Sequence, residues 1–396
     1  MKTVSDRLSI DEWLFFIAWV LFLSTLILMG AIFYVNNTQL EKTLKLIRYA
    51  AYGLCAIKIV RHRYERKEIP FLVLLIATFI IGGLGTGNLT FPLYSFVVLA
   101  ALDIDNTKIV KATAWVQGIY LFSIVLLSRM GLILDYVFES ATRMRHGLGF
   151  SWTTTSPIMF FYFCLCVVYV NREKQHIWML FLLEAIALYF LKMTDSKMAF
   201  LMTTGFLLFM GIESLNKKKW KWISKFNWLY LVFPFLMLAV TLIVAKIYDW
   251  YVPAWAAVDK LMSYRLGLSQ NALNRYGIHL LGQPIHWVGF DYKAIVSGQK
   301  ETYNYVDSSY LQLIFNNGLI FLTAVLFIYS YGIYKAIKSY DYYLVVVYLF
   351  VLVIALTEPR LMNFAYNPFP LLALGQMSKD FSNLKHPVKR KLVFKN

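Results

Sequence analysis

Apolar runs close to twenty residues long recur along this whole chain, with few polar residues inside them. A run of that length crosses a hydrocarbon layer of roughly 30 Å as a single helix. In lipid, only helices and closed barrels satisfy their own backbone. The runs are continuous and do not alternate, so they point to helices. Composition agrees. Of the 396 residues 59% are hydrophobic and 15% charged, where a soluble domain carries about a quarter charged. The expected fold class is all-α, a polytopic transmembrane helical bundle forming a single integral membrane domain over 1–396. Spans fall near 13–35, 41–60, 70–86, 89–102, 109–130, 151–170, 176–192, 197–212, 228–247, 309–330, 342–357 and 364–378. That is about twelve crossings, with a large external loop between the ninth and tenth.

The first run, Trp13 to Val35, is longer than a signal-peptide core and is followed by no convincing small-x-small cleavage pattern. It reads as a retained first span. Cys55, Cys164 and Cys166 all lie in apolar runs, which gives neither a disulfide framework nor a thiolate metal site. No His/Cys/Asp cluster has metal-ligand spacing, and no cofactor is implied.

A net charge of +17 could suggest nucleic acid. Its distribution points to membrane topology. Lysine and arginine gather in alternate connectors, RHRYERK (61–67), NREK (171–174) and NKKKWKWISK (216–225), and in the tail KHPVKRKLVFK (385–395). All four fall on the side of Met1, so the positive-inside rule places both termini in the cytoplasm. No nucleic-acid partner is expected. The partners are membrane lipids and whatever binds the opposite face.

That opposite face has two long connectors, 131–150 and 248–308, expected to form a cap over a site. Bundle connections usually run about two to eight residues. The stretch 252–282 is partly amphipathic and reads as short helices on the outer surface. Arginine is normally scarce on this side, yet these connectors carry Arg143, Arg145, Arg265 and Arg275, and the connector 357–369 between the last two spans carries Arg360. A planar guanidinium grips phosphate bidentately, so this group suits an anionic lipid headgroup or a pyrophosphate; each could also be an interfacial anchor. Glu358, His279 and His286 lie there too. Asp307 stands before the helix start YVDSSYLQL, where it could cap the helix or act as a base at the floor of a cavity. Tyr303, Tyr305 and Tyr310 would present sugar-binding rings and hydroxyls, or form an aromatic belt. Gly147 and Gly149 would let backbone approach a ligand. Inside the membrane, Lys58 can snorkel to the cytoplasm and Glu184 calls for a hydrogen-bond partner. LDIDN (102–106) reads as a cytoplasmic connector, and GGLGTGN (82–88) as a helix end and turn.

The segments SYRLGLSQNALNRYGIHLLGQPI (263–285), VDSSYLQLIFNNGLIF (306–321) and LTEPRLMNFAYNPFPLLAL (356–374), in that order, resemble the Wzy-type oligosaccharide repeat-unit polymerases of bacterial exopolysaccharide and capsule synthesis. RHGLGFSWTTTSP and TDSKMAF (194–200) resemble two earlier segments of that family. The family often has Gly-Arg where this chain has Tyr264-Arg265, and Asn where it has Ser308. The resemblance implies a metal-independent membrane glycosyltransferase in the bacterial cytoplasmic membrane. It would join repeat units carried on undecaprenyl pyrophosphate at the outer face, with flippase and chain-length regulator proteins as partners. It implies Arg265, then Arg145 and Arg360, with Arg143, Arg275, Tyr310 and His279, on pyrophosphate and sugar. Asp307, His286 or Glu358 would be the base. Two rivals remain open: a flippase or exporter of lipid-linked oligosaccharide, and an O-antigen-ligase-like transferase.

Overall fold

The computed structural model describes residues 8–35, 37–66, 68–140, 143–174, 176–215, 220, 223–296, 298 and 302–383. The basic connector 216–225 lies mostly, and the tail 385–395 wholly, outside these described residues. The chain is helical throughout: α1 (Ile10–Leu28), α2 (Thr38–Arg61), α3 (Ile69–Leu84), α4 (Thr90–Ala101), α5 (Asn106–Arg129), α6 (Thr155–Val170), α7 (Ile177–Thr194), α8 (Lys197–Leu215), α9 (Asn227–Ile247), α10 (Pro253–Leu261), α11 (Arg265–Tyr276), α12 (Tyr292–Val296), α13 (Ser309–Asn316), α14 (Gly318–Lys338), α15 (Tyr342–Ile354) and α16 (Phe369–Asn383). One antiparallel hairpin, β1 (Val137–Ser140) and β2 (Arg143–His146), pairs Val137 with His146 and Ser140 with Arg143.

Local chemistry sets the helix starts. Ser9 and Glu12 form a reciprocal capping box on α1. Asn37, Asp105 and Asp341 cap α2, α5 and α15. Among the described residues six helical segments are long and apolar enough to cross a membrane: α1, α5, α7, α8, α14, and α9 with the turn before it. Four more, α3, α4, α6 and α15, are apolar but shorter.

Two groups of contacts define the ends of the bundle. At one end Lys108 reaches Glu12 (2.7 Å), Arg61 reaches Asp11 (2.9 Å), and Lys58 pairs with Asp103. Lys58 is buried, with its ammonium on Asp103 and on the Ala100 carbonyl. It does not snorkel, because α4 brings both partners to it. That pairing and the capping by Asp105 account for both aspartates of LDIDN. At the other end Ser151 N donates to Gly30 O (2.9 Å) and Ile32 N to Gly149 O (2.9 Å). Glu184 accepts from Thr204 Oγ1 (2.7 Å) across the α7–α8 contact.

Three expected spans are redrawn. Helix α1 stops at Leu28, and Ile32–Tyr34 form a separate short turn. The stretch 309–330 is two helices, broken at Asn317–Gly318. Gly318 has φ +89°, and a Cβ there would lie 2.3 Å from Leu280 O. The 279–283 segment wedges against the break and takes over its backbone groups: Leu319 N donates to His279 O (2.9 Å) and Gln283 N to Phe315 O (3.0 Å). The stretch 364–378 is helical only from Phe369. Pro368 disfavours helix at the residue before it.

Residues 355–368 are therefore unwound in the interior of the bundle. Irregular backbone at that depth needs partners supplied by protein. Gln117 of α5 donates to Ala365 O (2.9 Å) and Tyr366 O (2.8 Å). Tyr329 donates to Leu361 O (2.9 Å), and Asn367 Nδ2 to the same carbonyl (2.7 Å). Ser309 Oγ donates to Glu358 O and accepts from Leu361 N (3.1 Å). We expect Gln117→Leu, which strands two buried carbonyls, to destabilise the protein by about 1–3 kcal/mol, seen as a lower midpoint in thermal unfolding of the purified protein. An unchanged midpoint would mean that water or another donor replaces the amide.

Candidate functional site

At the end of the bundle marked by Gly30 and Ser151, the loop elements converge on Arg265, the first residue of α11. The turn into this helix is unusual. Ser263 and Tyr264 both adopt left-handed backbone, with φ +58° and +63°, a conformation that costs a non-glycine residue free energy. Buried Asp259 holds the turn. Its carboxylate accepts from Leu266 N (2.7 Å), Gly267 N (3.3 Å) and the Tyr248 hydroxyl (2.7 Å). Asp259 thus caps α11 from a distance and fixes the base of the Arg265 side chain.

The Arg265 guanidinium is fully engaged. Nε lies 2.9 Å from Asp307 Oδ2, Nη2 3.6 Å from Glu358 Oε1, and Nη1 donates to Thr357 O at 2.7 Å. Three distant parts of the chain meet on this one side chain. The cap of α13 is Ser308, whose hydroxyl accepts from Leu311 N, so Asp307 is not the helix cap. Its carboxylate is turned to Arg265 instead.

Arg145 stands beside this cluster on β2. Its Nε donates to Thr194 O (2.8 Å) and its Nη2 to Ser196 Oγ (3.2 Å). Neighbouring Arg143 is paired with Asp195 and donates to the Asp195 carbonyl (2.8 Å). The hairpin is in this way bolted to the α7–α8 corner, where Asp195 itself has φ +46°. Among the described residues no carboxylate lies within 4 Å of Arg145 or of Arg360. Arg360 lies over the Tyr366 ring at 4.6 Å, and its Nε is buried without a hydrogen-bond partner.

A cavity of about 120 Å³ opens here, with Arg145, Arg265 and Asp307 in its wall among Tyr136, Phe138, Trp152, Phe290 and Tyr303. The rings support one another: Phe290 stacks on Tyr303 at 4.6 Å, and Trp152 lies 5.3 Å from Tyr305. The space beside Gly147 and Gly149 is taken by the protein's own groups. The space over Gly147 is filled by the Tyr136 ring, and Gly149, at φ +82°, packs on Ile124.

Burial raises the pKa of Asp307, against the attraction of Arg265, Arg360 and Arg145. Burial likewise pushes Glu358 up to about 7; Arg265 opposes the shift and Asp307 adds to it. Two carboxyls sharing one guanidinium do not both ionise easily, so near neutral pH the pair holds a proton in part. Burial works against the charge of Arg265, but Asp307 and Glu358 outweigh it and leave its pKa above the ordinary value. Arg145 is lowered by burial and by Arg143.

The remaining expected residues lie elsewhere. Tyr310 is fully buried and spends its hydroxyl on Leu352 O (2.9 Å), so it packs the core and does not reach the cavity. Arg275 is exposed, over the Tyr276 ring at 5.4 Å. His279 is exposed, with Nε2 3.0 Å from Tyr276 O. His286 is exposed, and its carbonyl accepts from Asn304. None of these three lines the cavity. The structure adds Asp259, Trp152 and Tyr136 to the neighbourhood. Each depends on a tertiary contact that no local pattern announces.

No family model, no curated protein and no solved structure matches this chain.

Because Glu358 is raised from its ordinary 4.5 to about 7, the stability it contributes is complete below about pH 4.5 and is lost as pH rises through about 7. The melting temperature of the wild type minus that of Glu358→Gln is therefore expected to fall across this window. A difference that stays flat from pH 4.5 to 8 would show that Glu358 is not held protonated.

Proposed function

We propose that this chain polymerises lipid-linked oligosaccharide repeat units, transferring glycan from one undecaprenyl pyrophosphate carrier to the free end of another. The observation that carries the reading is Arg265, held between Asp307 and Glu358 and set beside Arg145 in an aromatic-walled cavity. Ring faces and hydroxyls suit a sugar. A preorganised guanidinium pair suits a departing pyrophosphate.

In the proposed step a hydroxyl oxygen of the acceptor sugar attacks the anomeric carbon of the donor. The bond from that carbon to the pyrophosphate oxygen breaks, and its electron pair leaves with the pyrophosphate. The hydroxyl proton passes to the carboxylate pair, of which Asp307 lines the cavity. Arg145, free of a carboxylate partner, takes up leaving-group charge first. Arg265 follows by loosening its contact with Glu358 as that group gains the proton. The donor is already activated, so positioning and charge stabilisation carry most of the catalysis.

Two local features support the resemblance to Wzy-type polymerases. Position 264 is left-handed, the backbone state that the family's glycine adopts without cost. Position 308 is a helix cap, a role in which serine and the family's asparagine are equivalent. Both departures thus preserve the local backbone.

In this reading the four shorter apolar helices, α2 and α16 cross the bilayer together with the six long ones, about twelve passes in all. Both termini are cytoplasmic, and the long 248–308 connector caps the site from outside a bacterial cytoplasmic membrane. Buried Tyr162, Tyr310, Tyr329 and Tyr348 fill the bundle near the site. That favours an enzyme open to one face over a flippase. An O-antigen-ligase-like transferase would use the same cavity with another acceptor.

Arg265→Ala is expected to abolish polymer in the producing cell without lowering the amount of protein in the membrane, with Arg265→Lys as a milder companion that keeps the charge. Arg145→Ala should cost roughly 10²-fold in rate, the scale of losing one preorganised donor. Wild-type polymer length in Arg265→Ala would refute the assignment. For sidedness, Tyr251 is 91% exposed in the connector after α9. A cysteine there should react with an impermeant maleimide on intact spheroplasts. Labelling only after permeabilisation would invert the topology.

A further inference from the structure

A second cavity, of about 210 Å³, lies across α13 from the arginine cluster. It is bounded by the start of α4, by α13 and by the unwound segment near residue 360. Its wall includes Thr90, Phe91, Tyr94, Gln312, Asn316 and Asn363. No charged side chain lines it, so neither a phosphate nor a cation would find a counter-ion there. Its polar groups are side-chain amides and hydroxyls. An amide offers donors and an acceptor together, which matches a sugar hydroxyl that both gives and takes a hydrogen bond.

The amides are only partly committed. Gln312 Nε2 donates to Val306 O (2.7 Å) and Asn363 Oδ1 accepts from Ala365 N (3.1 Å), which leaves the other half of each amide available. Asn316 Oδ1 is buried with no partner among the described residues. Phe91 and Tyr94, 5.9 Å apart and edge to face, add the apolar surface on which the C–H face of a pyranose rests. At about 10–15 Å³ for one water, a volume of 210 Å³ admits a molecule much larger than solvent.

The cavity is also mechanically joined to the first. Asp307 lines the arginine cavity, and α13, starting two residues later, supplies Gln312 and Asn316 to the second. Glu358 contacts Arg265, while the adjoining Pro359 and Leu361 line the second cavity. Ser309 Oγ ties the two segments together.

We propose that this amide-lined cavity is a subsite for a neutral sugar, the acceptor end of the growing glycan. The inference rests on the polymerase reading for the word acceptor, but the binding of a neutral saccharide stands on the cavity itself. The test incorporates benzoylphenylalanine at Phe91 in the full chain, expressed in cells of its own host that make the repeat unit, and irradiates them. Carbohydrate attached to the purified protein is then read by periodate oxidation and hydrazide labelling. Adduct is expected at position 91, absent with the same probe at lipid-exposed Trp115, and reduced at least tenfold by Asn316→Leu. Thr90→Trp, at an exposed mouth position where folding is little at risk, should reduce it equally. No adduct, or an adduct that both variants leave at full yield, overturns the subsite. Polymer made at wild-type length by Arg265→Ala would instead overturn the polymerase reading while leaving the crosslink result as it stands.

Discussion

Everything at this end of the bundle depends on one half-buried cation, Arg265. A guanidinium removed from water is costly unless carboxylates and carbonyls surround it. Arg265 finds two carboxylates and a carbonyl, on segments some forty to ninety residues away in the chain. Removing it would leave Asp307 and Glu358 facing each other without a guanidinium in contact, only the more distant Arg145 and Arg360. The arginine therefore sets the position of the 302–308 segment, of the unwound 355–368 stretch and of the helix it begins. Asp259 holds that helix start in turn, which lets Tyr264 keep a backbone conformation it would not choose alone.

The same interaction explains why the site is poised. Burial, with the charge of Asp307 beside it, raises Glu358 to about 7 against the pull of Arg265. Arg145 and Arg360 lie near enough to influence both carboxyls without being bound to either. In the proposed reaction such a cluster would accept new negative charge, the arginine that meets it being released as a carboxyl is protonated. The rigid hairpin serves this end. Arg143 spends its charge on Asp195 so that Arg145, two residues along and on the same face of the strand, is held in place without spending its own.

Much of this was legible in the sequence, and the boundary is physical. Apolar runs mark helices because the backbone leaves no alternative in lipid. Arg145 and Arg265 stood out in the sequence as arginines in long connectors, and Glu358 as a carboxylate beside Arg360; the structure brings Arg265 and Glu358 into contact. The break at Asn317–Gly318 was hidden, since NNGLIF reads as continuous helix until the 279–283 segment is seen wedged against it. The unwound stretch was hidden for a similar reason: its carbonyls are satisfied by Gln117 and Tyr329, far away in the chain. Lys58 looked free to reach water, but the turn after α4 supplies the Asp103 that pairs with it. Tyr310 looked like a ligand residue because its neighbours are polar, yet helical geometry turns it inward.

The most direct test of the account is a cryo-EM structure of the full chain in nanodiscs loaded with undecaprenyl pyrophosphate. The account predicts density for the phosphates within about 2.7–3.2 Å of the Arg145 and Arg265 guanidinium nitrogens, with the polyprenyl chain running from the aromatic-walled cavity into the bilayer. Phosphate density settled at the opposite end of the bundle near Lys58, with the Arg145–Arg265 cavity empty, would contradict it.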